Sequence, residues 1–191
     1  MKTQTRETWL TEALEMMREL GLGGITVEGL GRRLGVTSGS FYHHFESLDD
    51  LLETIPPFWM QRARPATEAV MRSWGDTLEE ALRYMLCEYI PYEGRMRFDA
   101  VMRSWGRTNA DTKKACERVD RRRFAAATRL FEMHGVESEE ARARGALVYF
   151  MLLGLYQVCD TPDCEPAGYS VCDPPIWKVI VHAVGEFSNT N

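Results

Sequence analysis

Ser38, Ser40, Tyr42, His43 and His44 place five hydrogen-bonding side chains within seven residues. Hydroxyls and imidazoles at this density can bond to phosphate oxygens or to base edges, and Gly39 among them lets a backbone come close. The same groups do not make a metal centre, because adjacent histidines leave a helix in different directions. His134 and His182 add no helical ligand spacing. Nucleophile elbows, phosphate loops and zinc-protease patterns do not occur, so we expect no catalytic residue and no cofactor. Cys159, Cys164, Cys172 and His182 gather around one long polar loop, but without a C-x-x-C pair they read as ordinary thiols, not as zinc ligands or a redox switch.

Two short helices must hold the polar cluster. Val27, Leu30 and Leu34 recur at i, i+3 and i+7, one apolar stripe. Thr26 stands where an N-cap belongs, with Glu28 in the first turn. Gly35 suits the end of that helix. Val36 fills the turn, and Thr37 offers the next N-cap. Phe41 and Phe45, four residues apart, should bury the second helix and leave its polar groups outside. A helix–turn–helix of this kind fits a reading head for the DNA major groove, and equally a hairpin that only packs.

The run Thr26–Phe45 resembles the DNA-binding signature of TetR/AcrR-type transcriptional regulators, matching at Thr26, Leu30, Gly35, Val36, Gly39, Phe41, Tyr42, His44 and Phe45. Looser likeness continues through Trp105–Asp111, Val119–Arg123, Phe131–Gly135 and Glu140–Arg144, which are similar to the C-terminal half of one subgroup. The resemblance implies an all-α fold, with a three-helix DNA-binding head over residues 1–46. A ligand-binding and dimerisation body would follow over 47–191, with about nine helices in all. It implies a homodimer on a near-palindromic double-stranded operator, released by a small effector. Thr26, Arg32, Arg33 and Tyr42 would hold phosphates, Ser38, Gly39, Ser40, His43 and His44 would approach the bases, and Thr37 would lie at the DNA with them. Where the family often has a lysine this chain has Leu48, which removes one expected phosphate contact.

Charge runs against that reading. The net charge is −5, and residues 1–55 hold five basic and nine acidic side chains. A phosphate-binding face normally carries a basic surplus. A sensor or interaction protein of the same fold, with weak DNA binding, is the alternative.

The remaining elements follow from periodicity. Trp9, Leu10, Ala13, Leu14, Met17 and Leu20 stripe a first helix over 3–20. Ser47 opens a fourth with Asp50 at its third position, a capping-box arrangement, and Pro56–Pro57 should end or kink it. Further helices are expected near 77–90, 93–106, 110–134, 138–159 and 174–187. Asp120 and Arg123, i and i+3, should pair. Aromatic and methionine side chains suit a pocket for a hydrophobic effector: Trp59, Tyr84, Met85, Tyr89, Phe98, Met102, Trp105, Phe124 and Tyr149, with Glu88 as a polar handle. Leu147, Phe150, Met151, Leu155, Trp177, Ile180, Val181 and Val184 are too apolar to leave in water and are expected at the dimer interface. The start of the chain is polar and the most apolar run, 146–158, is too short to span a bilayer, so we expect a cytoplasmic protein without membrane association, its five cysteines mostly reduced.

Overall fold

The computed structural model describes residues 4–64, 67–89, 98–158 and 173–185. All regular structure among them is helical, and no described helix is long and apolar enough to cross a membrane. The chain divides into two compact units, Met1–Ala63 with Ala100–Glu117, and Arg64–Asp99 with Arg118–Asn191.

The first unit begins with α1 (Arg6–Leu20), capped by Thr5, whose hydroxyl accepts from the Thr8 N–H. A single 3-10 turn leads to α2 (Val27–Leu34) and α3 (Ser38–Phe41), and α4 follows (Leu48–Arg62). Trp9, Leu14, Met17, Leu30, Phe41, Phe45, Leu51 and Ile55 are buried together as its core. Across α1 and α4, Arg6 donates to Thr54 Oγ1 at 3.1 Å and Arg62 to Glu7 at 2.6 Å. Ser47 caps α4 as expected, accepting from the Asp50 N–H at 3.1 Å. The reciprocal bond is displaced by one residue, since the Asp50 carboxylate accepts from Glu46 N–H.

Helix α4 does not end at Pro56–Pro57. Each proline removes one backbone donor, yet its fixed φ is compatible with a helix. Burial of Ile55, Pro56 and Trp59 on one face offsets the lost bonds and carries the helix on to Arg62. The same unit includes residues Ala100–Trp105 of α7 (Asp99–Trp105) and the start of α8 (Ala110–Met133). Gly106 closes α7 so tightly that an added Cβ would lie 3.3 Å from Lys113 Cα. Asn109 caps α8, accepting from Thr112 N–H at 2.8 Å.

The second unit contains α5 (Glu68–Met71), α6 (Leu78–Arg83) with a π-helical turn over Tyr84–Tyr89, the rest of α8, α9 (Ser138–Val158) and α10 (Pro174–Gly185). A complete capping box opens α6: Thr77 accepts from Glu80 N–H, and the Glu80 carboxylate accepts from Thr77 N–H. Those bonds, together with one from Asp76 N–H, hold the Glu80 carboxyl below its ordinary range. Met71, Trp74, Leu82, Leu86, Phe131, Val148, Leu152, Trp177, Ile180 and Val184 form the core. Gly145 has Thr128 Cα 2.9 Å from where its Cβ would stand, so only glycine allows α8 and α9 to meet there. Arg144, buried on α9, is bound to Glu140 and donates to the carbonyls of Val184 and Gly185 at 2.9 and 3.2 Å, satisfying the free C-terminal end of α10.

Candidate nucleic-acid interface

The tip of the helix–turn–helix is built by burying two phenylalanines. Phe41 and Phe45 stack at 5.3 Å between ring centroids, and the Trp9 ring from α1 lies T-shaped to Phe41 at 5.4 Å. The Arg6 guanidinium covers Phe45 at 4.6 Å. Phe41 is wholly buried, whereas its neighbour Tyr42 is 61% exposed. Four-residue helix α3 is thereby fixed from within while its other face stays in water.

Helix α2 is held by local chemistry. Thr26 Oγ1 accepts from Gly29 N–H at 3.0 Å, and Gly35 takes the left-handed conformation (φ 69°) that ends it. Val36 N–H then donates to Gly31 O at 2.9 Å, and a side chain at Gly31 would meet Val36 O at 3.0 Å, which fixes the tightness of the turn. Thr37 occupies the N-cap position of α3, but its hydroxyl makes no capping bond. Ser38, Ser40 and His44 are half-buried, while Thr37, Gly39, Tyr42 and His43 are exposed. The His44 ring lies 6.5 Å from that of Trp9.

Residues 10–55, which contain this arrangement, match the model for bacterial regulatory proteins of the tetR family. They form a tetR-family head. Similarity of fold extends across the chain. A transcriptional regulator from Rhodococcus sp. Rha1 is 19% identical over 95% of this chain and 96% of its own, with a TM-score of 0.59. A TetR transcriptional regulator from Legionella pneumophila is 14% identical over 95% of this chain and 97% of its own, with a TM-score of 0.61. No curated protein sequence matches the chain. The fold is that of the all-α TetR-family regulators.

One residue of the tetR-type head departs from its expected place. Arg33 points its guanidinium at α1, with Nε 2.5 Å from Glu12 and the two terminal nitrogens 2.8 and 3.1 Å from the two Glu19 oxygens. These bonds, first of all those to Glu19, raise its pKa further above the ordinary arginine range. Arg33 is therefore engaged within the head, not presented to a phosphate. Sequence reasoning missed Glu12 and Glu19 as its partners, and the available signal was their spacing of two helical turns on one face of α1. Arg6 and Arg18 are paired too, with Asp50 and with Glu15 and Glu19. Arg32 is exposed at the end of α2 and has no carboxylate partner among the described residues.

The residues expected to form an effector pocket are distributed over both units. Trp59, Met102 and Trp105 are buried in the first unit, and Met85 is buried in the core of the second. Also in the second, Tyr84 and Glu88 line an open cleft of about 470 Å³ with Arg72, Trp74, Asp76, Glu80 and Arg83, a charged lining instead of an apolar one. The Trp74 and Tyr84 rings lie 5.7 Å apart there. Phe98 and Phe124 are half-buried. Tyr149 is buried, its hydroxyl donating to Asp120 at 2.6 Å and its ring 6.5 Å from Phe124. The side chain of Tyr89 lies outside the described residues.

Asp120 does not pair with Arg123. Arg123 instead donates through both terminal nitrogens to Asp99, whose side chain is 0% exposed. A partner from another helix displaces the i, i+3 neighbour because it offers bidentate geometry away from water.

Of the residues expected at a dimer interface, Trp177, Ile180 and Val184 are taken up by the chain's own core, where Trp177 Nε1 also donates to Glu79 at 3.2 Å. Leu147 and Phe150 are exposed, 54% and 65%, as is Val179, and Met151 and Val181 are half-buried. The stripe of Trp177, Ile180 and Val184 on α10 thus faces inward, while Leu147 and Phe150 of α9 and Val179 of α10 are apolar and exposed. Leu155 lies outside the described side chains.

Cys87 is disulfide-bonded, where counting alone points to mostly reduced thiols, and Cys116 is buried as a thiol. Pairing depends on the distance between β-carbons, which no cysteine count reveals. The loop cysteines Cys159, Cys164 and Cys172 lie outside the described residues.

Proposed function

We propose that the chain is a ligand-responsive transcriptional regulator, most simply a repressor, which binds a near-palindromic operator as a homodimer. Residues 1–46 serve as the reading head and 47–191 as the sensing and dimerising body. The observation that carries this reading is the contrast at the tip: Phe41 and Phe45 are sealed in the core while Tyr42, His43 and Gly39 face water. Such a tip can enter a major groove, with Tyr42, Thr26 and Arg32 directed to phosphates and Ser38, Ser40, His43 and His44 to base edges. The exposed face of Leu147, Phe150 and Val179 supports pairing through α9 and α10. Twofold pairing would set two heads about one helical turn, roughly 34 Å, apart on one side of the duplex. A small, largely hydrophobic effector would act by favouring a head spacing that no longer fits the operator.

The acidic head, with Arg6, Arg18 and Arg33 all paired to carboxylates, favours a second reading: a sensor of this fold that binds DNA weakly. Binding of the full chain to duplexes tiled across the region upstream of its own gene separates the two. The regulator should prefer one fragment over a scrambled duplex by at least about 10³-fold, the low end for specific recognition. Equal, weak binding to every fragment would favour the sensor.

A further inference from the structure

Arg33 sits on the last turn of α2 beside the exposed Arg32, immediately before the turn that leads to the tip. Its fork is held by Glu12 and Glu19, and Arg18 joins the same group through Glu19 at 3.6 Å and Glu15 at 3.3 Å. Two guanidiniums and three carboxylates thus meet on one surface of the head. All of these groups are partly open to water. Exposed ion pairs add little to folding. Stability therefore accounts poorly for the arrangement. Its clear electrostatic consequence is at the DNA side, where one of two adjacent arginines is neutralised.

We propose that Glu12 and Glu19 are affinity-limiting residues of the head: by holding Arg33 against α1 they keep its guanidinium from the phosphate backbone. The inference rests on the DNA-binding reading above and names a control on that same surface. Operator binding is thereby weakened in its sequence-independent component, while the base-reading tip is left untouched. A regulator built this way depends more on base-edge contacts and spends less time on random DNA.

The test is a salt titration of the full chain on a short random-sequence duplex, comparing the parent with Glu12→Gln/Glu19→Gln and with the same pair plus Arg33→Ala. The double variant should bind more tightly, and its plot of log K against log salt should steepen by about 0.9 per head, one added phosphate contact. Adding Arg33→Ala should return the slope to that of the parent, which separates a new Arg33 contact from a general loss of repulsion. Arg33→Ala alone, in a chain otherwise unchanged, should leave the slope as it is. A parental slope in the double variant, a gain that survives loss of Arg33, or a shallower slope in Arg33→Ala alone would each overturn the proposal. Should the double variant melt early, the single Arg33→Ala slope decides. Failure of the DNA-binding reading looks different: neither the parent nor any variant would then show salt-dependent binding.

Discussion

Replacing Phe41 by alanine should destabilise the head by about 3–5 kcal/mol, the usual cost of emptying a fully buried aromatic site. Phe41 is the hub of the head's core, in T-shaped contact with Trp9, stacked on Phe45 and met by the ring of Tyr42. A cavity there removes the surface on which α3 rests, and α3 has only four residues with which to hold itself. So short a helix is unstable without tertiary packing. Domains are stable by only about 5–15 kcal/mol, so this loss is a large share of the total. Denaturant unfolding followed by circular dichroism should show the midpoint fall, and DNA binding should disappear with it. A midpoint within about 1 kcal/mol of the parent would mean that the site collapses around the deletion, leaving the tip anchored elsewhere.

Removing the carboxylate of Asp99 should have an effect of similar size in the second unit, about 3–5 kcal/mol for Asp99→Ala, because it removes a bidentate carboxylate from a guanidinium that is itself only 10% exposed. The charge cannot be shed, since arginine stays protonated at any accessible pH. Replacing both partners with apolar residues, Asp99→Leu with Arg123→Met, should restore most of the loss, because the pair's desolvation is then avoided altogether. A double-mutant cycle by thermal unfolding gives the coupling directly. If Asp99→Ala melts like the parent, water reaches Arg123 readily and the pair is not a buried one.

The head was legible because its signals are local. Val27, Leu30, Phe41 and Phe45 repeat at helical spacing, and Thr26 and Gly35 mark the ends of α2 through bonds made within a few residues. The Thr77–Glu80 capping box is local in the same sense, and it forms in full. What escaped the sequence is set by contacts made across the chain. Arg33 finds Glu19 fourteen residues away, and Arg123 finds Asp99 at a separation of 24. Helix α4 runs through two prolines because tertiary burial outweighs two missing donors. For α10 the period showed the stripe of Trp177, Ile180 and Val184 but not its direction, and an inward-facing stripe looks identical to one facing a partner. Arg144 shows the same limit: a charged residue on an apolar helix becomes a buried cap for α10 only once the two helices are placed together.

The most direct test asks whether the exposed tip touches DNA. Tyr42 is 61% exposed, so its loss should cost the fold little. Affinity of the full chain for its preferred upstream duplex should be compared between the parent and Tyr42→Ala, with thermal melting recorded for both. A drop of about tenfold or more, equivalent to 1.4 kcal/mol, at unchanged melting temperature is the expected result. Unchanged affinity in a folded Tyr42→Ala protein would contradict the reading of this surface as a DNA-binding tip.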